Sequence, residues 1–293
     1  MPANRPYQQL ESSRGVLETT ITAQESPVTF AGQTWSAMQF NGVYLPPVLR
    51  VQPGDSVKLH LVNRLPADQR TNLHYHGTAT SPKPPSDYVL NTIRPPTSYD
   101  YALYFPRNHD RGLFCYHPHP HRQSERPVQD GMSGLLIVEG FMETFYPWLR
   151  DVPERLLMLK DPVPPGRPDS LGHAKTINGE ASATFTLRPG ELQFWRVGNI
   201  GADAYFNLKI DGHRVWLLAS DANVLRKPLL VDSLYLPPGA RAEVLIEGGV
   251  PGRHAIRHAA VNTGPNARTS RPSTSRPLPR RAVGRRALRP NCC

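Results

Sequence analysis

Phe114-Cys115-Tyr116-His117-Pro118-His119-Pro120-His121, inside the segment from Gly112 to Gly140, is the stretch on which the fold of this 293-residue chain turns. Upstream stands a partner, Leu73-His74-Tyr75-His76-Gly77. Side chains two apart on a β-strand leave the same face, so His74 projects with His76, and His117 with His119. Two such strands laid side by side gather four imidazoles. One histidine pair is ordinarily strand decoration or satisfied core. Two pairs at the same spacing point to a metal, because neutral imidazole is the commonest side-chain metal ligand. With no carboxylate or thiolate in the pattern, the donor set suits copper or zinc rather than calcium or magnesium.

Around these pairs the sequence is punctuated by 32 prolines and 22 glycines, many as Pro-Gly or Pro-Pro between short apolar stretches. That is the pattern of an all-β chain rich in turns. The length allows two domains, each with its own core, and no apolar run reaches membrane-spanning length. Three cysteines, Cys115, Cys292 and Cys293, are too few for a disulfide framework. The N-terminus, Met1-Pro2-Ala3-Asn4-Arg5-Pro6, has no apolar signal region and no twin arginine, so the sequence itself carries no export address and leaves the compartment open. The net charge of +10 is concentrated: residues 263–293 hold eight arginines and no acidic residue, which leaves the remainder close to neutral and argues against nucleic acid as a partner.

An internal repeat sets the architecture. Arg50-Val51-Gln52-Pro53-Gly54-Asp55 leading to Asn63 recurs as Leu187-Arg188-Pro189-Gly190-Glu191 leading to Asn199. Asn72-Leu73-His74-Tyr75-His76-Gly77 recurs as Asn207-Leu208-Lys209-Ile210-Asp211-Gly212. Pro95-Pro96 and Pro237-Pro238 each precede an alternating strand, and Gly112 to His119 faces Gly252 to Ala259, with Arg257 and Ala259 where the first copy has His117 and His119. Four landmarks in one order predict a duplicated β-sandwich. The first unit is expected over residues 15–141, a connector over Phe141 to Glu154, and the second unit over residues 155–262. Residues 263–293, rich in Arg, Pro and Ser, are expected to form a disordered tail. The second copy keeps the turns while losing all four histidines, so the fold does not require them. They read as ligands.

The motifs Asn41-Gly42, Arg50 to Asp55, His74-Tyr75-His76-Gly77, Tyr116-His117-Pro118-His119 and Gly131-Met132-Ser133-Gly134 to Val138, in this order, resemble the first domain of a multicopper oxidase, and residues 155–262 resemble its second. The resemblance implies two cupredoxin-like Greek-key sandwiches. It also implies a copper cofactor in a trinuclear cluster, with His74 on the type 2 copper and His76, His117 and His119 on the type 3 pair. O2 and a reducing substrate are the implied reactants, and family members are often exported. The family's third-domain motifs, His-x-x-His-x-His and His-Cys-His, have no counterpart after Val261, and Pro118 occupies the position at which the blue-copper cysteine stands in that last motif. The expectation is therefore a truncated, copper-binding oxidoreductase with half of the cluster's ligands, prone to self-association through the exposed face of its first domain. The alternative is a non-catalytic copper- or zinc-binding or scaffold protein. The abrupt change of composition after Pro265 has three readings: electrostatic binding of nucleic acid or anionic lipid, a prenylation signal at the terminal Cys292-Cys293, and, the preferred one, a shift of reading frame.

Cys115 shares the face of His117 and reads as a small buried apolar residue, with a thiolate ligand as the alternative. His121 reads as a solvated loop residue. His60, His109, His173, His213, His254 and His258 read as structural or exposed.

Overall fold

The computed structural model describes residues 7–166, 173–261 and 291–292. Its first sandwich opposes two sheets. One is ordered β1 (Gln9–Glu11), β4 (Val48–Val51), β9 (Gly134–Val138), β8 (Gly112–His117), β6 (His74–His76), and the other β3 (Gln33–Phe40), β2 (Val16–Phe30), β5 (Ser56–Asn63), β7 (Ser98–Tyr104). Alternation explains the packing: Val57, Leu59 and Leu61 of β5 point inward and are buried, whereas Lys58 and His60 face outward. They meet Phe40, Tyr75, Phe114, Tyr116 and Leu136 in one core. Strand β1 lies ahead of residue 15, where the sequence reading opens this unit, and pairs in parallel with β4.

In the second sandwich a six-stranded sheet is ordered β11 (Thr176–Ile177), β10 (Glu154–Lys160), β13 (Leu192–Asn199), β18 (Arg241–Glu247), β15 (Arg214–Ser220), β16 (Asn223–Val231). Facing it are β17 (Leu234–Leu236), β14 (Phe206–Ile210), β20 (Ile256–His258) and a second small sheet, β12 (Phe185–Thr186), β21 (Asn291–Cys292), β19 (Arg253–His254). Leu157, Trp195, Val197, Val244 and Ile246 form its core with Phe185, Phe206, Leu208 and Leu236.

The repeat appears directly in the strand pairing. Strand β5 pairs in parallel with β2 and antiparallel with β7, and β13 pairs in parallel with β10 and antiparallel with β18. Both Pro-Gly-acid segments close a turn, from Asp55 N–H to the Gln52 carbonyl and from Glu191 N–H to the Arg188 carbonyl. Glycine at the third turn position takes positive φ, +99° at Gly54 and +71° at Gly190.

The connector and the tail each hold elements that composition does not mark. The connector from Phe141 to Glu154 is structured: α2 (Phe141–Phe145; α1 is Glu125–Asp130) and a 3₁₀ turn at Pro147–Leu149 place Phe141, Met142 and Tyr146 against Phe194, Leu218 and Leu245, capping the outer face of the six-stranded sheet. Within the segment expected to be disordered, Asn291–Cys292 is a strand, pairing antiparallel with β12 and parallel with β19. Two extended segments with unpaired edges can accept a third across backbone hydrogen bonds whatever its side chains, which composition cannot reveal. Residues 262–290 and 293, which include the rest of that expected tail, lie outside the described residues. Among the described residues no helix is long and apolar enough to cross a membrane.

The sandwiches meet through an apolar layer. Leu113, Cys115, Leu135 and Ile137, on the outer face of the first unit's five-stranded sheet, pack on Leu156, Met158 and Ile200 of the second. Polar ties flank it. Buried Lys160 donates to the carbonyls of Tyr44, Gly131 and Ser133 at 3.2, 3.0 and 3.1 Å, and Ser133 Oγ donates to the Ile200 carbonyl at 2.6 Å.

Candidate metal centre

Strand β6 is the edge of its sheet, paired antiparallel with β8 so that His74 faces His117 and His76 faces Cys115. Tyr75, the middle residue of β6, and Tyr116, its partner on β8, point into the core and are fully buried. That anchoring turns the flanking histidines to the outer face. The chain leaves β8 at His117, and Pro118 carries it to His119, whose N–H donates to Asn72 Oδ1 at 2.6 Å. Asn72 is itself held by Nδ2 donation to the carbonyls of Val89 and Asn91, 2.9 Å each.

The four imidazoles converge. Ring centroids of His74 lie 5.7 Å from His76, 5.4 Å from His117 and 5.4 Å from His119, and His117 to His119 is 6.0 Å. For His74, His76 and His117, one nitrogen of each lies within 4.8 Å of the others, a spacing that can hold a metal ion. His119 borders this trio from a more exposed position.

The surroundings fit a transition metal taken by imidazole. His74 Nδ1 sits 3.1 Å from both carboxylate oxygens of Asp87, and His117 Nδ1 donates to the Pro118 carbonyl at 3.0 Å. Each ring then keeps its proton on Nδ1 and offers the Nε2 lone pair, the usual support for a histidine ligand. Asp87, nearly buried, also accepts the Tyr75 N–H at 3.0 Å, so one carboxylate fixes both backbone and ring. Burial pushes His117 down to about 4. Burial first, then the neighbouring Arg241 charge, holds His76 below the ordinary imidazole range. Rings that resist protonation stay available as ligands.

The second sandwich shows the same strand pair without the imidazoles. Strands β14 and β20 pair antiparallel, and where His74 faces His117 in the first unit, Lys209 faces Arg257 here. Arg257 forms an ion pair with Asp211, the residue opposite His76 in the repeat. One backbone frame thus carries a histidine quartet in one copy and a surface ion pair in the other.

Cys115 lies outside the quartet. Its side chain enters the interdomain apolar layer among Leu113, Leu135, Leu156 and Met158, and burial pushes its thiol up to about 11. His121 is exposed, and His60 pairs with Asp100 at the surface. His109 uses both nitrogens locally, accepting from Ala79 N–H and donating to the Asp110 carbonyl. His173 contacts Asp161, His213 and His254 stack edge to face at 4.8 Å, and His258 Nδ1 accepts from Asn207 N–H. The sequence reading missed Asp87 and Asn72. Asn72 directly precedes the first histidine motif and recurs in the repeat as Asn207, a signal that was present. Asp87 sits in a proline-rich loop with no periodicity to mark it.

A doubled β-sandwich that presents paired His-x-His strands on one half and none on the other defines a cupredoxin-like, copper-type protein. Two family profiles, both described as multicopper oxidase, match residues 22–141 and 157–276, and the chain belongs to the multicopper oxidase family. It is 26% identical over 251 residues to "Multicopper oxidase mco" of Staphylococcus epidermidis, covering 81% of this chain and 54% of that protein. It is 29% identical over 262 residues to "Cell division protein FtsP" of Photorhabdus laumondii, covering 83% and 53%. Among solved structures, the Campylobacter jejuni multicopper oxidase described as a metallo-oxidase superposes with a TM-score of 0.70 at 24% identity, covering 88% of this chain and 56% of that one. The blue copper oxidase of Nitrosomonas europaea superposes at 0.66 and 25%, covering 80% and 76%. The chain spans about half the length of the curated relatives it matches.

Proposed function

We propose that this chain binds copper through His74, His76, His117 and His119, and that these four side chains are half of the ligand set of a multicopper oxidase cluster. The observation that carries the reading is the convergence of the imidazoles, three with donor nitrogens within 4.8 Å of one another. Copper held there would supply one-electron chemistry towards O2. The chain's own residues have distinct tasks. Asp87 and the Pro118 carbonyl keep the His74 and His117 protons on Nδ1, Asn72 sets the backbone of His119, and Tyr75 and Tyr116 hold the two strands in register. In this reading the remaining cluster ligands and the blue copper come from outside residues 1–262, so oxidation of a substrate by these residues alone is not expected. The face that would meet those ligands is a surface for self-association.

The test is copper content of the purified, copper-loaded chain, with oxygen uptake measured on a phenol and on a cuprous salt. Stoichiometric copper that is lost in the double variant His74→Ala, His119→Ala supports the reading. Copper retained by that variant, or none in the parent, overturns it. One relative is named as a cell-division protein rather than an oxidase, which favours a second reading as a protein-contact scaffold. Absence of metal in a folded chain is its expected signature.

A further inference from the structure

The Pro-Pro-Gly segment of the second repeat, which in sequence only marks a turn, reaches the histidines of the first. Pro237-Pro238-Gly239-Ala240 closes through Ala240 N–H to the Pro237 carbonyl at 3.0 Å, and Gly239 takes φ +81°. This is a turn with proline second and glycine third, as a type II turn demands. It is pinned from below by Gly239 N–H to the Asn199 carbonyl and Asn199 N–H to the Ala240 carbonyl, 2.9 Å each. Its outer surface lies against the His76 ring: a Cβ at Gly239 would stand 3.1 Å from His76 Cε1.

Arg241 follows that turn and is 4% exposed. Its Nη1 donates back to the Gly239 carbonyl at 2.8 Å, and its Nε crosses the domain boundary to the Leu113 carbonyl of β8 at 3.1 Å. Asp221 accepts the Arg241 backbone N–H at 2.8 Å and forms an ion pair with Nη1 at 3.0 Å. The guanidinium lies over the Phe114 ring at 5.9 Å and so close to Gly77 that a Cβ there would stand 2.7 Å from Nη2. Gly77 is therefore the residue after His76 that lets a second-domain cation reach the edge strand.

We infer that Arg241 is a positioning residue for the metal centre: with Gly239 it clamps the second sandwich onto β6 and β8 and fixes the ring of His76. The ligand-free domain is thus a wall of the site. The inference rests on the copper reading for its consequence and on the clamp geometry for its substance, so it is tested with and without metal.

The variants are Arg241→Ala, Arg241→Lys, and Leu156→Ala, which loosens the apolar interface away from the histidines. In the metal-free chain, acylation of His76 by diethyl pyrocarbonate is followed by peptide mass spectrometry against His60 as an internal reference, at a pH where the imidazoles are neutral. In the copper-loaded chain, the copper dissociation constant and the Cu(II) electron paramagnetic resonance spectrum are recorded. Arg241→Ala should raise His76 acylation several-fold, weaken copper by about 10–100-fold, the range for losing a group that orients a ligand, and alter the spectrum. Arg241→Lys should restore part of each, and Leu156→Ala should leave the spectrum unchanged. Unchanged His76 acylation in Arg241→Ala, or the same change in Leu156→Ala, overturns the inference. A parent chain that takes up no copper sinks the copper reading instead, and acylation still decides the clamp. Should Arg241→Ala not fold, Asp221→Ala removes the partner that aims the guanidinium and is held to the same outcomes.

Discussion

Replacing Arg196 by methionine breaks the buried ionic chain between the sandwiches while keeping volume. Arg196, 2% exposed, donates to Glu154 at 2.8 Å and Glu243 at 2.7 Å and lies 3.9 Å from Glu139 of the first sandwich. Arg50, also of the first sandwich, closes the network onto Glu139 and Glu154. Glu243 is 1% exposed, and burial pushes its carboxyl up to about 7 even with Arg196 beside it. Removing one partner of a buried pair costs about 3–5 kcal/mol, because the other charge stays desolvated. The pH dependence separates this from mere loss of packing. With its carboxyl raised above the ordinary 4.5, Glu243 favours the fold when protonated, and that contribution fades as pH climbs through about 7. Without Arg196 the carboxyl rises further, so the variant keeps losing stability above pH 7, at up to about 1.4 kcal/mol per pH unit. Urea unfolding of both chains across neutral to mildly alkaline pH reads the gap. A gap that stays constant or narrows as pH rises would refute the reasoning.

Three further outcomes are expected. Asp87→Asn keeps an acceptor for the Tyr75 N–H but loses the charge opposite His74 Nδ1. Copper should weaken by about 10–100-fold with little change in melting temperature, and unchanged affinity by competitive titration counts against the assigned tautomer. Lys160→Met leaves three interfacial carbonyls without their donor, at about 1–3 kcal/mol for each group that water does not reach. Limited proteolysis between the sandwiches should accelerate, and protection equal to the parent's rejects Lys160 as a tie. Cys115→Ala should leave copper stoichiometry intact, while Cys115→Ser buries a hydroxyl among aliphatic side chains at about 1–3 kcal/mol. Copper lost from the alanine variant would restore the thiolate-ligand reading.

What the sequence discloses follows from how local each signal is. The duplication was readable because Pro53-Gly54-Asp55 and Pro189-Gly190-Glu191 are turn chemistry, dictated within four residues, and both form the expected turn. The face shared by His74 and His76 was readable because strand alternation has a period of two. The exchange of His74 and His117 for Lys209 and Arg257 fell on paired positions of equivalent strands. Asp87 and Arg241 were not readable as parts of the site. One arrives through a loop whose path is set by tertiary contacts, and the other through the docking of a separate core. The same limit hid the role of Phe141 and Tyr146, whose stretch contains two prolines and reads as a linker until Phe194 and Leu218 are seen to cover it. Cys115 was placed on the correct face, but its surroundings depend on the second sandwich.

The docking itself has a directional logic. Three buried cations, Lys160, Arg196 and Arg241, stand on the second sandwich, and each reaches acceptors of the first: the carbonyls of Tyr44, Gly131 and Ser133, the Glu139 carboxylate, and the Leu113 carbonyl. An apolar interface alone tolerates sliding, because burial is non-directional. A desolvated cation does not, since a shift of one residue leaves its charge without acceptors. Lys160 itself is 1% exposed, and that burial pushes its ammonium down to about 7. Three such ties fix the second sandwich in both translation and rotation relative to β8. Arg241 lies at the end of that seam nearest the histidines and makes its own contacts to the Gly239 and Leu113 carbonyls. Loosening either distant tie should then leave the His76 environment in place as long as those contacts hold.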